Sequence, residues 1–154
     1  MTEQTAPLTA LLAEDAIRLE ENAADRDDAI RRAGRALVEI GAVEESYVDA
    51  MLEREQSVST YMGEGVAIPH GTLAAKDVVK NDALCVLRFP DGVDWGGQQV
   101  TVAVGIAAKG KGHVKLLQRL ATILVDPDRV AALRGATTAE QVYRLFSDDE
   151  EEEE

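Results

Sequence analysis

Apolar residues repeat at helical spacing along several stretches of the chain. One face of a predicted helix over residues 25–40 is formed by apolar side chains three or four positions apart, namely Ile30, Ala33, Leu37 and Ile40. Gly41 follows directly and is expected to end that helix. The same spacing predicts helices over residues 44–55 and 113–125.

Two helix-start signals occur near the end of the chain. Asp126 and Pro127 are typical of a first helical turn, and they predict a short helix that continues through Leu133. Thr138 and Gln141 have the spacing of a capping box, in which each side chain bonds the backbone of the other residue. This box predicts a final helix that ends near residue 146.

Apolar, β-branched runs predict buried strands over residues 83–89 and 100–108. Residues 90–99 between them are rich in turn-forming residues, and we expect Trp95 within them to cover the edge of the core. Near the start of the chain the pattern is mixed and predicts only a short strand or turn around residues 16–19.

Helices interleaved with short buried strands predict an α/β fold. We expect a single domain with a mixed β-sheet that is flanked by helices on both faces. This domain is expected to span residues 1–147. The seven acidic residues at positions 148–154 are expected to form a disordered, solvated tail.

The charge of the chain limits its partners. At 154 residues it carries 29 acids against 5 lysines and 11 arginines, for a formal net charge of −13. This charge disfavours nucleic acid and anionic membrane surfaces, since both would repel it. An acidic, lysine-poor surface is tolerated where salt screens its self-repulsion, so the composition suggests a halophilic source.

The remaining bulk features favour the cytoplasm. Hydrophobic residues make up 45% of the chain, yet no apolar run approaches the roughly 20 residues that span a bilayer. The N-terminal residues lack the pattern of a signal peptide. Cys85 is the single cysteine, which excludes an intrachain disulfide, and its apolar surroundings predict a small buried hydrophobe.

One motif stands out from the hydrophobic pattern. Residues 65–72 read GVAIPHGT, in which a short apolar strand is followed by Pro69 and then by His70, one of two histidines in the chain. Pro69 ends the strand because it lacks a backbone N–H, and Gly71 allows a tight turn. A histidine at the end of a rigid strand is suited to be a nucleophile or a proton carrier.

The motif is part of a longer resemblance. MLEREQSVSTYMGEG over residues 51–65 leads into GVAIPHGT, and residues 74–97 and 102–124 continue the match at corresponding spacing. Over residues 8–146 the chain resembles the enzyme IIA domains of the phosphoenolpyruvate:sugar phosphotransferase system, in the mannitol/fructose class. The resemblance implies the same mixed α/β fold.

The resemblance also implies roles for individual residues. The residue matching His70 carries a phosphoryl group on Nε2, the one matching His113 supports it by hydrogen bonding, and the arginine matching Arg54 helps to hold it. Glu64 matches an acid near the site, and Thr72 and Gly71 are expected to support the turn. Independently of the family, His113 falls at a predicted helix N-terminus, where backbone N–H groups favour an anion.

The function that the resemblance implies is phosphoryl transfer. The group would pass from the phosphohistidine of the carrier protein HPr to His70, and then to the IIB component of a sugar permease. Fructose is expected over mannitol as the sugar. The protein would need no metal or organic cofactor and would meet the membrane only through the permease. We expect partners to dock on an apolar rim around His70 that includes Tyr61, Met62 and Val66.

Other functions remain as alternatives. Nitrogen-regulatory relatives share the fold and the histidine but signal through their phosphorylation state. A binding module that has lost phosphotransfer is disfavoured, because both histidines and Arg54 are present. Two histidines supply at most half of a tetrahedral metal site. The chain has no serine nucleophile elbow, Walker loop or Rossmann fingerprint.

Overall fold

The computed structural model describes residues 8–109 and 112–152. A five-stranded sheet lies at the centre, with helices on both faces. Its strands are β1 Leu12–Arg18, β2 Tyr61–Gly63, β3 Val66–Ala67, β4 Ala83–Asp94 and β5 Gln99–Ala107. The α-helices are α1 Arg26–Glu39, α2 Ser46–Ser57, α3 Gly112–Leu124, α4 Pro127–Arg134 and α5 Ala139–Glu152. Two short 3-10 helices, Leu8–Leu11 and Leu73–Val78, precede β1 and β4.

The sheet is mixed, as the sequence predicts. Its strand order is β1-β4-β5-β3-β2. β4 and β5 form an antiparallel hairpin at the centre, whereas β1 pairs with β4 and β3 pairs with β5 in parallel. β2 pairs antiparallel with β3 at one edge. β3 and β5 therefore point the same way, and their carboxyl ends lie at the same edge of the sheet.

Alternating residues of the central strands divide the core into two layers. Cys85 and Leu87 of β4 face α1 and α2, whereas Leu84 and Val86 face α3, α4 and α5. All four side chains are fully buried. Successive residues of a strand point to opposite faces of the sheet. Apolar residues at both sets of alternating positions are therefore expected of strands that are covered on both faces. No helix in the described part of the chain is long and apolar enough to cross a membrane.

Helix boundaries follow the predicted signals closely. Asp25 caps α1 by accepting a hydrogen bond from the Asp28 N–H, and Asp126 caps α4 in the same way through Asp128. Thr138 Oγ1 accepts from the Gln141 N–H at 3.2 Å, and Gln141 Oε1 accepts from the Thr138 N–H at 3.3 Å. The predicted capping box is therefore present at the start of α5.

Three elements differ from the sequence prediction. β1, predicted only as a short strand or turn around residues 16–19, runs from Leu12 to Arg18. Residues 90–94, predicted as a turn, continue β4, because a shift in register between Arg88 and Val93 accommodates the proline and glycine that suggested a turn. α5 passes the predicted end near Phe146 and continues to Glu152. No glycine or proline follows Phe146, and glutamate is a good helix former.

Candidate functional site

His70 lies directly beyond the end of β3, beside β5. It forms an isolated parallel bridge with Ile106, and the Ile106 N–H donates to the Pro69 carbonyl at 3.0 Å. On its other side the same segment is held by the Ile68 N–H, which donates to the Thr60 carbonyl at 3.0 Å. The backbone at His70 is therefore fixed between two neighbouring segments, as the prediction of a rigid strand end requires.

The imidazole of His70 is oriented by its own chain. Its Nδ1 lies 2.8 Å from the Ile68 carbonyl oxygen. Because a carbonyl can only accept a hydrogen bond, Nδ1 carries a proton, and in the neutral form of the ring the lone pair is then on Nε2. A backbone carbonyl therefore fixes one ring nitrogen as an N–H, as the sequence prediction requires, whereas the nucleophilic role of Nε2 stays a prediction.

A second property of His70 is its burial. The residue is only 3% exposed. The segment from Val66 to Gly71 is buried throughout, so the turn that carries the histidine is packed into the protein. The ring is therefore held in a low-dielectric environment, where the direction of each hydrogen bond has a large effect.

Tyr47 of α2 contacts the turn after His70 and was missed in the sequence. Its hydroxyl accepts from the Gly71 N–H at 2.9 Å and donates to the Ile106 carbonyl at 2.8 Å. Burial raises the pKa of this phenol, and the hydrogen bond from Gly71 opposes that rise. Helical spacing in the sequence puts Tyr47 on the apolar face of its helix. The only indication of a further role is that a buried tyrosine needs a hydrogen-bond partner for its hydroxyl.

Gly71 and Thr72 support the turn through their backbones. A Cβ atom at Gly71 would lie 2.5 Å from Cε1 of Tyr47, so the tyrosine ring packs directly against the glycine. The Thr72 carbonyl accepts from the Ala75 N–H at 3.0 Å, at the start of the 3-10 helix Leu73–Val78. Close approach of a ring, rather than an unusual φ angle, is the reason for glycine at position 71.

Arg54 precedes β2 in the chain, and Glu64 follows it directly. Arg54 Nη1 donates to the Val58 carbonyl at 2.7 Å, where its charge also suits the end of α2. Glu64 has a φ of 55° in the β2–β3 turn, its side chain is exposed, and its carbonyl accepts from Arg134 Nη1 at 2.7 Å. Among the described contacts, none joins either residue to His70.

His113 lies in the first turn of α3, and its side chain is outside the described residues. The course of the backbone places it near the edge of the sheet at which β3 and β5 end. α3 begins five residues after the end of β5, and β5 runs parallel to β3, which leads into His70. The meeting of the two histidine side chains stays a prediction.

A buried carboxylate lies behind the strand that carries His70. Glu55 is 3% exposed and accepts hydrogen bonds from the Thr60 N–H at 2.9 Å and from Thr60 Oγ1 at 2.5 Å. Trp95 Nε1 donates to the same carboxylate at 2.8 Å. Since the Thr60 carbonyl receives the Ile68 N–H, Glu55 fixes the residue on which the His70 strand rests. No pattern in the sequence indicates this buried acid.

A separate cleft of about 790 Å³ lies between α1 and the start of α2, and four arginines and four acids contribute to its lining. Arg32 within it bonds Asp28 at 3.2 Å and Glu21 at 3.1 Å. Its charges balance, so the cleft gives no net attraction for an anion. In the described part of the chain, no group of three or more His, Cys, Asp or Glu side chains could hold a metal ion.

Comparison with known proteins agrees with the observed fold. The model of the family "Phosphoenolpyruvate-dependent sugar phosphotransferase system, EIIA 2" matches residues 10–149. The mannitol-specific phosphotransferase enzyme IIA component of Staphylococcus aureus strain Mu50 is 43% identical over 141 residues, which cover 92% of this chain and 98% of that protein.

Two solved structures from Escherichia coli share the fold. One is the complex of enzyme IIAMTL with phosphorylated enzyme IIBMTL, with a TM-score of 0.83, 35% identity and coverage of 90% of this chain and 99% of that chain. The other is the crystal structure of IIA mannitol, with a TM-score of 0.81, 36% identity and coverage of 87% and 97%. With its family model, its relatives and its fold in agreement, the chain belongs to the EIIA type 2 family of the phosphoenolpyruvate-dependent sugar phosphotransferase system.

Proposed function

We propose that this protein is a histidine phosphocarrier of a mannitol phosphotransferase system. His70 receives a phosphoryl group from the phosphohistidine of HPr and passes it to a IIB component. The observation that carries the proposal is the 2.8 Å hydrogen bond between His70 Nδ1 and the Ile68 carbonyl, because it leaves the lone pair on Nε2. The pairing of a mannitol IIA with phosphorylated IIB in the Escherichia coli complex supports the choice of acceptor.

The chemical step is a displacement at phosphorus between two imidazoles. The lone pair of His70 Nε2 forms a new P–N bond while the P–N bond to the HPr histidine breaks and its electron pair returns to that ring. In the transfer to IIB, a nucleophile of IIB forms the new bond to phosphorus while the P–N bond to His70 Nε2 breaks and its electron pair returns to the His70 ring. Little covalent work falls to the protein, so positioning and charge stabilisation account for catalysis. In this proposal the supporting donors are His113 and Arg54.

Mannitol replaces fructose as the proposed sugar. The expectation of fructose has no support, whereas the Staphylococcus aureus relative and the Escherichia coli IIA crystal structure carry mannitol in their names. Because the chain covers 98% of the length of that relative, we infer that it serves as the same component of a transport system. No observation in the structure specifically favours the nitrogen-regulatory alternative.

The proposed docking surface needs one correction. Val66, expected on an apolar rim around His70, is fully buried. Its strand, β3, is paired with β5 on one side and with β2 on the other, and its side chain packs in the core layer that contains α3, α4 and α5. Val58 and Met62 are 63% and 40% exposed on the segment that leads from α2 into β2. A partner with a basic face would suit this acidic protein, and salt would weaken that attraction.

Intact-mass analysis tests the proposal. The protein is incubated with phosphoenolpyruvate, enzyme I and HPr, beside a His70→Ala control. We expect one acid-labile phosphoryl group on the wild type and none on the control. Phosphorylated protein is then mixed with the IIB component of a mannitol or a fructose permease, and loss of the label to the mannitol component is expected to be faster. A folded wild-type protein that takes no phosphoryl group would refute the proposal.

A further inference from the structure

The pairing of β3 with β5 ends in an unusual way, directly at His70. A parallel bridge between His70 and Ile106 calls for two hydrogen bonds, one from Ile106 N–H to Pro69 and one from Gly71 N–H to Ile106. The first is present at 3.0 Å. The position of the second is taken by the Tyr47 hydroxyl, which accepts from Gly71 at 2.9 Å and donates to Ile106 at 2.8 Å.

The side chain of Tyr47 is fixed in this position. It is 3% exposed and belongs to the same core layer as α1 and β4. Its ring fills the space where a Cβ atom of residue 71 would be, at 2.5 Å, so only a glycine lets the hydroxyl reach the backbone. The hydroxyl donates its hydrogen to the Ile106 carbonyl, and its oxygen accepts from the Gly71 N–H. The direction of both hydrogen bonds is therefore determined.

Three anchors therefore surround one residue. Pro69 is held by Ile106, Gly71 is held by Tyr47, and the imidazole itself is held through Nδ1 by the Ile68 carbonyl. Removing the Tyr47 anchor would leave the Gly71 N–H and the Ile106 carbonyl buried without a partner, or would let them bond directly. Either change moves the backbone that follows the histidine.

We propose that Tyr47 is a positioning residue for phosphoryl transfer: its hydroxyl replaces the last hydrogen bond between β3 and β5 and thereby fixes the direction of His70 Nε2. The inference rests on the proposed function. Tyr47 acts through Gly71 and does not itself touch the phosphoryl group. A shift of about 1 Å in a reacting group can cost about 100-fold in rate, so the geometry of this turn bears directly on the reaction.

Tyr47→Phe, which removes only the oxygen atom, is the test variant. The matched control is Tyr143→Phe, which also loses a hydroxyl bond to a backbone carbonyl, from Tyr143 to Leu12 at 2.5 Å, on the opposite face of the sheet. Single-turnover phosphorylation by saturating phospho-HPr is measured under conditions where both variants are folded. We expect about a 10- to 100-fold lower rate for Tyr47→Phe and a rate near that of the wild type for Tyr143→Phe.

Nitrogen NMR of the unphosphorylated imidazole adds a readout that stability alone does not move. The wild type is expected to show a single tautomer with the proton on Nδ1, and Tyr47→Phe a mixture. A folded Tyr47→Phe variant with the wild-type rate and tautomer would overturn the proposal. A raised KM with an unchanged saturated rate would also overturn it, because that pattern indicates docking.

Two other experimental results would still allow a decision on the role of Tyr47. If Tyr47→Phe does not fold, amide exchange of Gly71 in the wild type decides: slow exchange supports the hydroxyl anchor, and exchange as fast as an exposed amide contradicts it. If the wild type takes no phosphoryl group, the proposed function fails, and the tautomer comparison still decides whether Tyr47 orients His70.

Discussion

The indole N–H of Trp95 donates to the Glu55 carboxylate at 2.8 Å, and both side chains are almost completely buried, at 2% and 3% exposure. This bond joins the β4–β5 hairpin to the end of α2. The same carboxylate accepts two bonds from Thr60. The Glu55 oxygens thus accept all three hydrogen bonds.

Glu55→Gln should therefore destabilise the fold. The amide would place an N–H₂ group opposite groups that are themselves donors, and we expect a loss of about 2 kcal/mol in the free energy of unfolding. Chemical denaturation measures this value. Glu53→Gln, on the exposed side of the same helix, serves as the control and should change stability by less than about 0.5 kcal/mol. Equal effects of the two substitutions would contradict a special role for Glu55.

Gly71→Ala should be destabilising because of crowding. The added Cβ would lie 2.5 Å from the Tyr47 ring, and relief requires the ring or the turn to move. We expect a cost of about 1–3 kcal/mol, as for other overpacked cores. Gly135→Ala is the matched comparison, because its nearest contact is an ordinary 3.6 Å and its φ is −97°. Thermal or denaturant unfolding of the two variants would show whether position 71 is the tighter one.

Glu64→Asn tests a residue whose backbone is strained and whose side chain is exposed. A φ of 55° costs a non-glycine residue roughly 1–2 kcal/mol, and asparagine tolerates it better. We expect the variant to be as stable as the wild type or about 1 kcal/mol more stable. Phosphorylation of His70 should continue in this variant. Loss of phosphorylation without loss of stability would instead assign a chemical role to the Glu64 carboxylate.

The stability of the protein at alkaline pH should depend on Cys85. Burial raises the pKa of this thiol from 9.0 to about 12, and its Sγ donates to the Ala33 carbonyl. The folded-state pKa lies above the unfolded value, so this contribution is complete below pH 9 and is lost as the pH rises toward 12. From pH 8 to pH 10 the wild type should lose about 1.4 kcal/mol more than Cys85→Ala. Parallel pH profiles for the two proteins would disprove the assignment.

Salt should stabilise the protein if its acidic composition reflects a saline source. At a net charge of −13, self-repulsion weakens as the screening length falls from about 10 Å at 0.1 M to about 3 Å at 1 M salt. We expect the melting temperature to rise by about 3 °C over this range, which corresponds to about 1 kcal/mol for a chain of this length. Measurements in potassium chloride and sodium chloride should agree. A melting temperature that is indifferent to both salts would end the halophilic hypothesis.

Local signals predicted the helices and the position of His70 well. The caps at Asp25 and Asp126 act within a few residues, and Pro69 ends its strand for reasons that are also local. The hairpin was less predictable, because Pro90 and Gly92 suggest a turn in isolation, and only pairing with β5 shows a bulged strand. The three-residue β2 carries too little pattern to detect.

The parts of the site that the sequence did not predict are those with distant partners. Tyr47 bonds residues 24 and 59 positions away, and Glu55 bonds Trp95 from 40 positions away. No periodicity in the sequence encodes such pairs. Conversely, Arg54 and Glu64 are placed near the site by family resemblance. Their described contacts in this chain are a hydrogen bond from the Arg54 side chain to the Val58 carbonyl and one from the Arg134 side chain to the Glu64 carbonyl.

The two edge strands limit how other chains can attach to this sheet. β1 presents the charged residues Glu14 and Asp15 to solvent and has an irregular register between Leu12 and Ile17. β2, at the other edge, is only three residues long. Charge, irregularity and shortness each block the addition of a foreign strand. An incoming chain therefore has no template for amyloid-like growth here, and partners must recognise side chains rather than extend the sheet.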